Sequence, residues 1–74
     1  MKLEQYLEQY HVRQADFAKS VGVSQGYVSQ VLSGKYKPKG KNAIRWSAAT
    51  HWLVTPHELN SDDYPNEKDG LPMD

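Results

Sequence analysis

The sequence predicts a small all-α domain of about five short helices, and three observations predict it. Leu3, Tyr6, Leu7 and Tyr10 recur at the i, i+3, i+4, i+7 spacing that lays apolar side chains along one helix face. Phe17, Ala18 and Val21 form a second apolar stripe, Val28, Val31 and Leu32 form a third, and Gly22-Val23-Ser24 lies between them. Ala43, Trp46, Thr50 and Leu53 keep helical spacing from residue 43 to residue 53.

The opening amphipathic stretch reads as a supporting helix packed on the later ones. His11 falls where that helix should stop, and Val12 folds back onto the core. Arg13 precedes Gln14 where Ser or Thr would cap better, so the second helix starts without a strong side-chain cap and Arg13 is left to face phosphate. The second and third stripes cannot share one straight helix. A glycine at 22 takes the left-handed backbone that ends the first rod, Val23 turns into the shared core, and the Ser24 hydroxyl caps the next rod. Ala18, one turn before the corner, lets the two backbones approach. Two short helices meeting at a sharp angle in this way make a helix-turn-helix.

Gln14, Ala18, Gly22, Val28 and Val31 stand where the phage-repressor type of helix-turn-helix has its first glutamine, its small residue, its turn glycine and its two core aliphatics. Any one of these is a weak signal, and five at fixed offsets, with Phe17, Val21 and Val23 in support, form a specific one. Over residues 3–59, including VGVSQGYVSQVLSGK and the later VTPHEL, the chain resembles the small Cro-like repressors of lambdoid phages and the related YdaS-type antitoxin-like regulators. The Cro-like resemblance implies a homodimer on double-stranded operator DNA, with recognition helices roughly 34 Å apart, acting in the choice between lytic and lysogenic development. Some Cro-like proteins place strands after the motif, which would make Trp52-Leu53-Val54 a short strand at the dimer contact. Helical periodicity in residues 42–51 favours the all-α version.

The recognition helix is expected over residues 25–33, with Gly34 at a left-handed C-terminal position. With Val28, Val31 and Leu32 inward, Gln25, Gly26, Ser29, Gln30 and Ser33 face out. A glutamine amide sets a donor beside an acceptor and matches adenine N6 and N7 in the major groove, so Gln25 and Gln30 are the candidate base readers, with Gly26 and Ser29 at the same surface. Outside such a motif these small polar residues would only solvate a helix face. Tyr27 has two readings, a phosphate contact or a filler at the core edge. Lys35-Tyr36-Lys37-Pro38-Lys39-Gly40-Lys41 is kept from being helical by Pro38 and Gly40. Lysine loops are usually just solvated. Directly behind a recognition helix, these lysines suit a loop that tracks phosphates, and the candidate backbone contacts are Arg13, Gln14, Ser24, Tyr27, Ser33, Lys35, Lys37, Lys39 and Lys41.

Residues 42–52 read as a fourth helix, with Ala43, Trp46, Thr50 and Leu53 on the side that closes the core and Trp46 the largest contributor. Ile44, Ala48 and Trp52 fall to another side and, with Leu53, are the candidate dimer surface, although Trp52 equally suits the domain's edge. Thr55-Pro56-His57-Glu58 has a cap, a first-turn proline and a third-position glutamate, the capping box of a last helical turn ending near Leu59. The domain therefore spans residues 1–59. Residues 60–74 turn to Asp, Asn, Pro, Gly and Lys and read as an irregular or disordered acidic tail, with Tyr64 and Leu71 in loose contact.

A formal charge of zero over 74 residues seems to argue against DNA until it is divided along the chain. Residues 10–55 carry seven basic side chains against Asp16 alone, a balance of +6. Residues 56–74 carry six acids against Lys68, a balance of −5. That asymmetry marks a nucleic-acid surface with an acidic tail. With no cysteine, disulfides and thiolate metal sites are excluded, and a small core of this kind gains from self-association. Trp52-Leu53-Val54 is the longest apolar run, so neither a membrane span nor a signal peptide is expected and the reading is a cytoplasmic protein on DNA. His11, His51 and His57 stand at no metal-ligand pairing, Ser24, Ser29 and Ser33 lack a nucleophile elbow, and no glycine-rich phosphate loop is present. No enzyme activity, cofactor, metal or small-molecule substrate is expected. Two rival readings remain. An antitoxin-like autoregulator would bind DNA and, through its tail or the Ile44–Trp52 strip, a toxin, and a neighbouring toxin gene would favour it. A helical protein-interaction module would carry apolar anchors in place of Gln25 and Gln30 and would bind in salt that weakens DNA affinity.

Overall fold

The computed structural model describes residues 1–72 and contains α1 (Leu3–Gln9), α2 (Gln14–Val21), α3 (Gln25–Leu32), α4 (Lys41–Ala49) and α5 (Pro56–Leu59), with no strand among the described residues. This is the all-α class with five helices that the spacing of apolar residues predicts. α2 lies against α3, and α4 packs on both α2 and α5.

One device ends the first four helices. In each, a left-handed residue lets the next backbone N–H reach back five residues: Val12 to the Leu7 carbonyl (2.9 Å), Val23 to Ala18 (3.0 Å), Lys35 to Gln30 (2.9 Å) and Trp52 to Ser47 (2.9 Å). Glycine supplies the left-handed residue at Gly22 (φ 75°) and Gly34 (φ 87°), whereas His11 (φ 54°) and His51 (φ 56°) adopt it with a Cβ in place. The helix starts are more varied. Ser24 Oγ accepts the Tyr27 N–H at 3.1 Å, and Thr55 Oγ1 accepts the Glu58 N–H at 3.2 Å while Glu58 Oε1 accepts the Thr55 N–H at 3.4 Å. Arg13 makes no side-chain cap to α2, as the sequence indicates.

Trp46, 1% exposed, sits at the centre of the core. Its ring meets Phe17 edge-on at 5.4 Å and Tyr27 edge-on at 5.8 Å between centroids, which ties α4 to both helices of the corner. Leu3, Tyr6 and Leu7 of α1, Ala18, Val21 and Val28 around the corner, and Ala43, Val54 and Leu59 complete this core. Val31 and Leu32 are only partly buried at its margin.

The region after α4 departs from the expected pattern. The helix stops at Ala49 instead of running to about Trp52, because His51 and Trp52 (φ 65°) both turn left-handed. The turn breaks the helical phase, so Leu53 is 40% exposed instead of closing the core, and Val54, 0% exposed, takes the buried place. Thr50 is buried as expected, and its hydroxyl explains how a polar group can be: it donates to the Ser47 carbonyl at 2.7 Å and accepts the Val54 N–H at 3.0 Å.

Residues 60–72 contain neither helix nor strand, yet they are fastened to the domain; Met73 and Asp74, the end of the expected tail, lie outside the described residues. Asn60 is 3% exposed and donates to the Pro38 carbonyl at 2.9 Å. The Tyr64 hydroxyl donates to the Gly40 carbonyl at 2.7 Å, and the Tyr64 carbonyl lies 2.7 Å from His57 Nδ1.

Candidate nucleic-acid interface

The left-handed corner at Gly22 fixes how α3 leaves α2, and the Ser24 cap fixes where α3 begins. Val28 is sealed in the core, so the residues out of phase with it are presented to solvent. Gln25, Gly26, Ser29 and Ser33 are exposed, and Gln30 is half-buried. The Gln30 carbonyl is drawn into the helix end, where it accepts from the Lys35 N–H at 2.9 Å and from Ser33 Oγ at 2.9 Å. Ser24 and Ser33 thus already use their hydroxyls to shape the two ends of α3. A Cβ built on Gly26 would meet only Ser24 Oγ, at 3.9 Å, so position 26 keeps a shallow surface without being forced to be glycine.

Arg13 and Gln14 stand at the start of α2. Arg13 is exposed and its Nε lies 3.8 Å from Asp16 Oδ2, while Gln14 is half-buried. Tyr27 is half-buried, with its ring against Trp46 and stacked on Tyr36 at 5.9 Å and 17° between planes. Of the two readings for Tyr27, this position is the core edge, and the ring still borders the lysine loop.

Lys35, Lys37, Lys39 and Lys41 are all exposed. Lys41 opens α4, and Gly40 before it takes a backbone (φ 53°, ψ −127°) that is costly for any residue with a side chain. The loop is anchored from inside by Pro38, which is fully buried. A groove beside α3 is lined by Tyr27, Gly34, Lys35, Tyr36, Lys37, Lys39, Asn42 and Asp62. It gathers three of the expected lysines with Tyr27, whereas Arg13, Gln14, Lys41 and the α3 polar face lie outside it.

Sequence reasoning gave no binding role to Gly34, Tyr36, Asn42 or Asp62, which also line this groove, and two of them bear on its charge and shape. Tyr36, one of the residues that space the lysines, stacks on Tyr27 and carries Lys35 Nζ 5.7 Å from its ring centre. Asp62 comes from the acidic segment and pairs with Lys37 at 3.1 Å. The opposite charge of the two segments was the available signal. At the candidate dimer surface, Ile44 and Ala48 share one side of α4, and Trp52 and Leu53 stand in the following turn.

Among the described residues no helix is long and apolar enough to cross a membrane, and no three His, Asp or Glu side chains gather as a metal-binding group. A family model described as helix-turn-helix matches residues 3–51, from the start of α1 to the turn after α4. No curated protein and no solved structure matches the chain.

Proposed function

This chain belongs to the helix-turn-helix family and is a DNA-binding regulator, and from that premise we propose that it is a sequence-specific transcriptional repressor that occupies operator DNA and blocks transcription. The observation that carries the proposal is the α3 surface: a helix held at one end by Ser24, with Gln25, Gly26 and Ser29 exposed and a loop of lysines directly behind it. α3 enters the major groove. Gln25 and Gln30 read base edges through paired amide contacts, and Gly26 and Ser29 allow the close approach. Arg13, Gln14, Ser24, Ser33 and the four lysines of residues 35–41 line the phosphate backbone and set the register without reading sequence, with Tyr27 at the core edge beside them.

The protein acts as a homodimer through Ile44, Ala48, Trp52 and Leu53. The domain measures 30 × 23 × 19 Å, so two copies side by side suit recognition helices roughly 34 Å apart. Repression is by occlusion of the promoter, and the Cro-like resemblance implies a lysis/lysogeny switch as its setting.

The test compares operator and random duplexes, the operator being found by footprinting the promoter next to the protein's own gene. Gln25→Ala should cost about 1–3 kcal/mol on the operator and flatten the preference at one base pair. Lys37→Ala should weaken both duplexes alike and lower the salt slope by about one unit. Equal loss on operator and random DNA from Gln25→Ala removes the base-reading role.

A further inference from the structure

The lysine loop and the residues after α5 carry opposite charge, and the fold sets them face to face. Lys37 Nζ lies 3.1 Å from Asp62 Oδ2, and the neighbouring Asp63 carboxylate accepts the Gly40 N–H at 3.1 Å. Asn60 holds both acids in place. Its Oδ1 accepts the N–H groups of Asp62 and Asp63, each at 3.1 Å, while its Nδ2 donates to the Pro38 carbonyl at 2.9 Å and to Asp63 Oδ2 at 3.1 Å. A buried amide thus pins the acidic turn to the inner side of the loop. The Asp62 side chain itself is 80% exposed and borders the groove of Tyr27, Lys35, Tyr36, Lys37 and Lys39.

A carboxylate and a phosphodiester offer a lysine the same partner, an anionic oxygen at hydrogen-bond distance. We propose that Asp62 occupies the anion position of this groove in the free protein and that a DNA-backbone phosphate displaces it on binding. The inference rests on the reading of the lysine loop as a phosphate contact. Asp62 then acts as a resident competitor: each binding event must first break the Lys37–Asp62 pair and leave the carboxylate near the incoming phosphate. The opposition is blind to base sequence, because a phosphate is. It is also modest and salt-dependent, because the pair is exposed and screened over about 10 Å at 0.1 M salt.

The experiment titrates the full chain against operator and random duplexes at low salt by fluorescence anisotropy. It uses wild type, Asp62→Asn, Lys37→Ala, the double variant and Glu67→Gln. The last removes the same charge from an exposed tail position outside the groove lining. Asp62→Asn keeps the backbone N–H that binds Asn60, and a thermal melt checks that it folds as wild type does. The expected result is a two- to fivefold tightening by Asp62→Asn, roughly the range of an exposed ion pair, equal on both duplexes and fading as salt rises. Glu67→Gln should give a smaller change, and Asp62→Asn should have no effect once Lys37 is alanine. Unchanged binding by Asp62→Asn, a gain matched by Glu67→Gln, or a gain that survives in the Lys37→Ala background overturns the inference. If Lys37→Ala costs nothing even in the Asp62→Asn background, the lysine-loop reading itself has failed and the inference fails with it.

Discussion

Gly22→Ala isolates the corner on which the α3 surface depends. Gly22 has φ 75° and ψ 33°, and a Cβ built there would have no neighbour within 4 Å. The substitution therefore introduces no clash, and its whole effect is the backbone cost of a left-handed L-residue, about 1–2 kcal/mol. Part of that is offset because alanine has less freedom than glycine in the unfolded chain, an effect of about 0.4–1 kcal/mol. The net loss should be about 0.5–1.5 kcal/mol. For a domain of this size 1 kcal/mol lowers Tm by about 4–8 °C, which is readily measured by circular dichroism during a thermal melt. Gly22→Asn should lose less, since asparagine tolerates the left-handed region. The same reasoning runs in reverse at His11, whose φ is 54° with a Cβ present: His11→Gly should raise stability by about 0.5–1 kcal/mol. Opposite signs at the two positions are the signature. If Gly22→Ala left Tm unchanged while His11→Gly lowered it, left-handed strain would not be what closes these helices.

Three further substitutions test the packing behind the interface. Trp46→Ala removes the ring that joins α4 to Phe17 and Tyr27 and should cost about 3–5 kcal/mol, a large share of the roughly 4–11 kcal/mol expected for a chain of this length; urea unfolding should show a much lower midpoint or no folded baseline. Thr50→Val keeps the shape but leaves the buried Val54 N–H without its 3.0 Å partner, so a loss of about 1–3 kcal/mol is expected in the same assay. Asn60→Ala should cost about 1–3 kcal/mol and, more tellingly, should speed amide exchange at Asp62 and Asp63 well beyond that of the helices, since both N–H groups lose their acceptor.

What could be read from the sequence was what is local. Gly22, Ser24 and the Thr55–Glu58 box act on groups three to five residues away, and each is a residue type with a narrow backbone role, so spacing alone places it. His11 and His51 perform the same task as Gly22 without its mark in composition, and the extension of α4 to Trp52 together with the burial of Leu53 went wrong for that reason. Tyr36 was hidden differently. Its partner Tyr27 lies in another element, and no periodicity links a loop residue to a helix residue. The polar face of α3 was legible only as the complement of Val28: fixing the buried residue fixes which others are exposed, but not that the Gln30 carbonyl is taken up in closing the helix.

The charge division shows why distance in sequence matters here. As a list of residues, a +6 segment followed by a −5 segment suggests a DNA-binding body with a separate acidic appendage. In the folded chain Asp62 reaches Lys37 across 25 positions and Asp63 reaches Gly40 across 23, so part of the negative segment is set into the positive one. With screening over about 8 Å at physiological salt, a phosphate approaching the groove would sense first the charges that line it, Lys35, Lys37, Lys39 and Asp62. On the proposal above, the net charge of zero says little about affinity, and Asp62, which lines the groove, should weigh more than an acid such as Glu67 that lies outside the lining and contributes equally to the total. A formal balance can thus exclude a DNA-binding role only when the opposing charges lie within a screening length of the surface that meets the DNA.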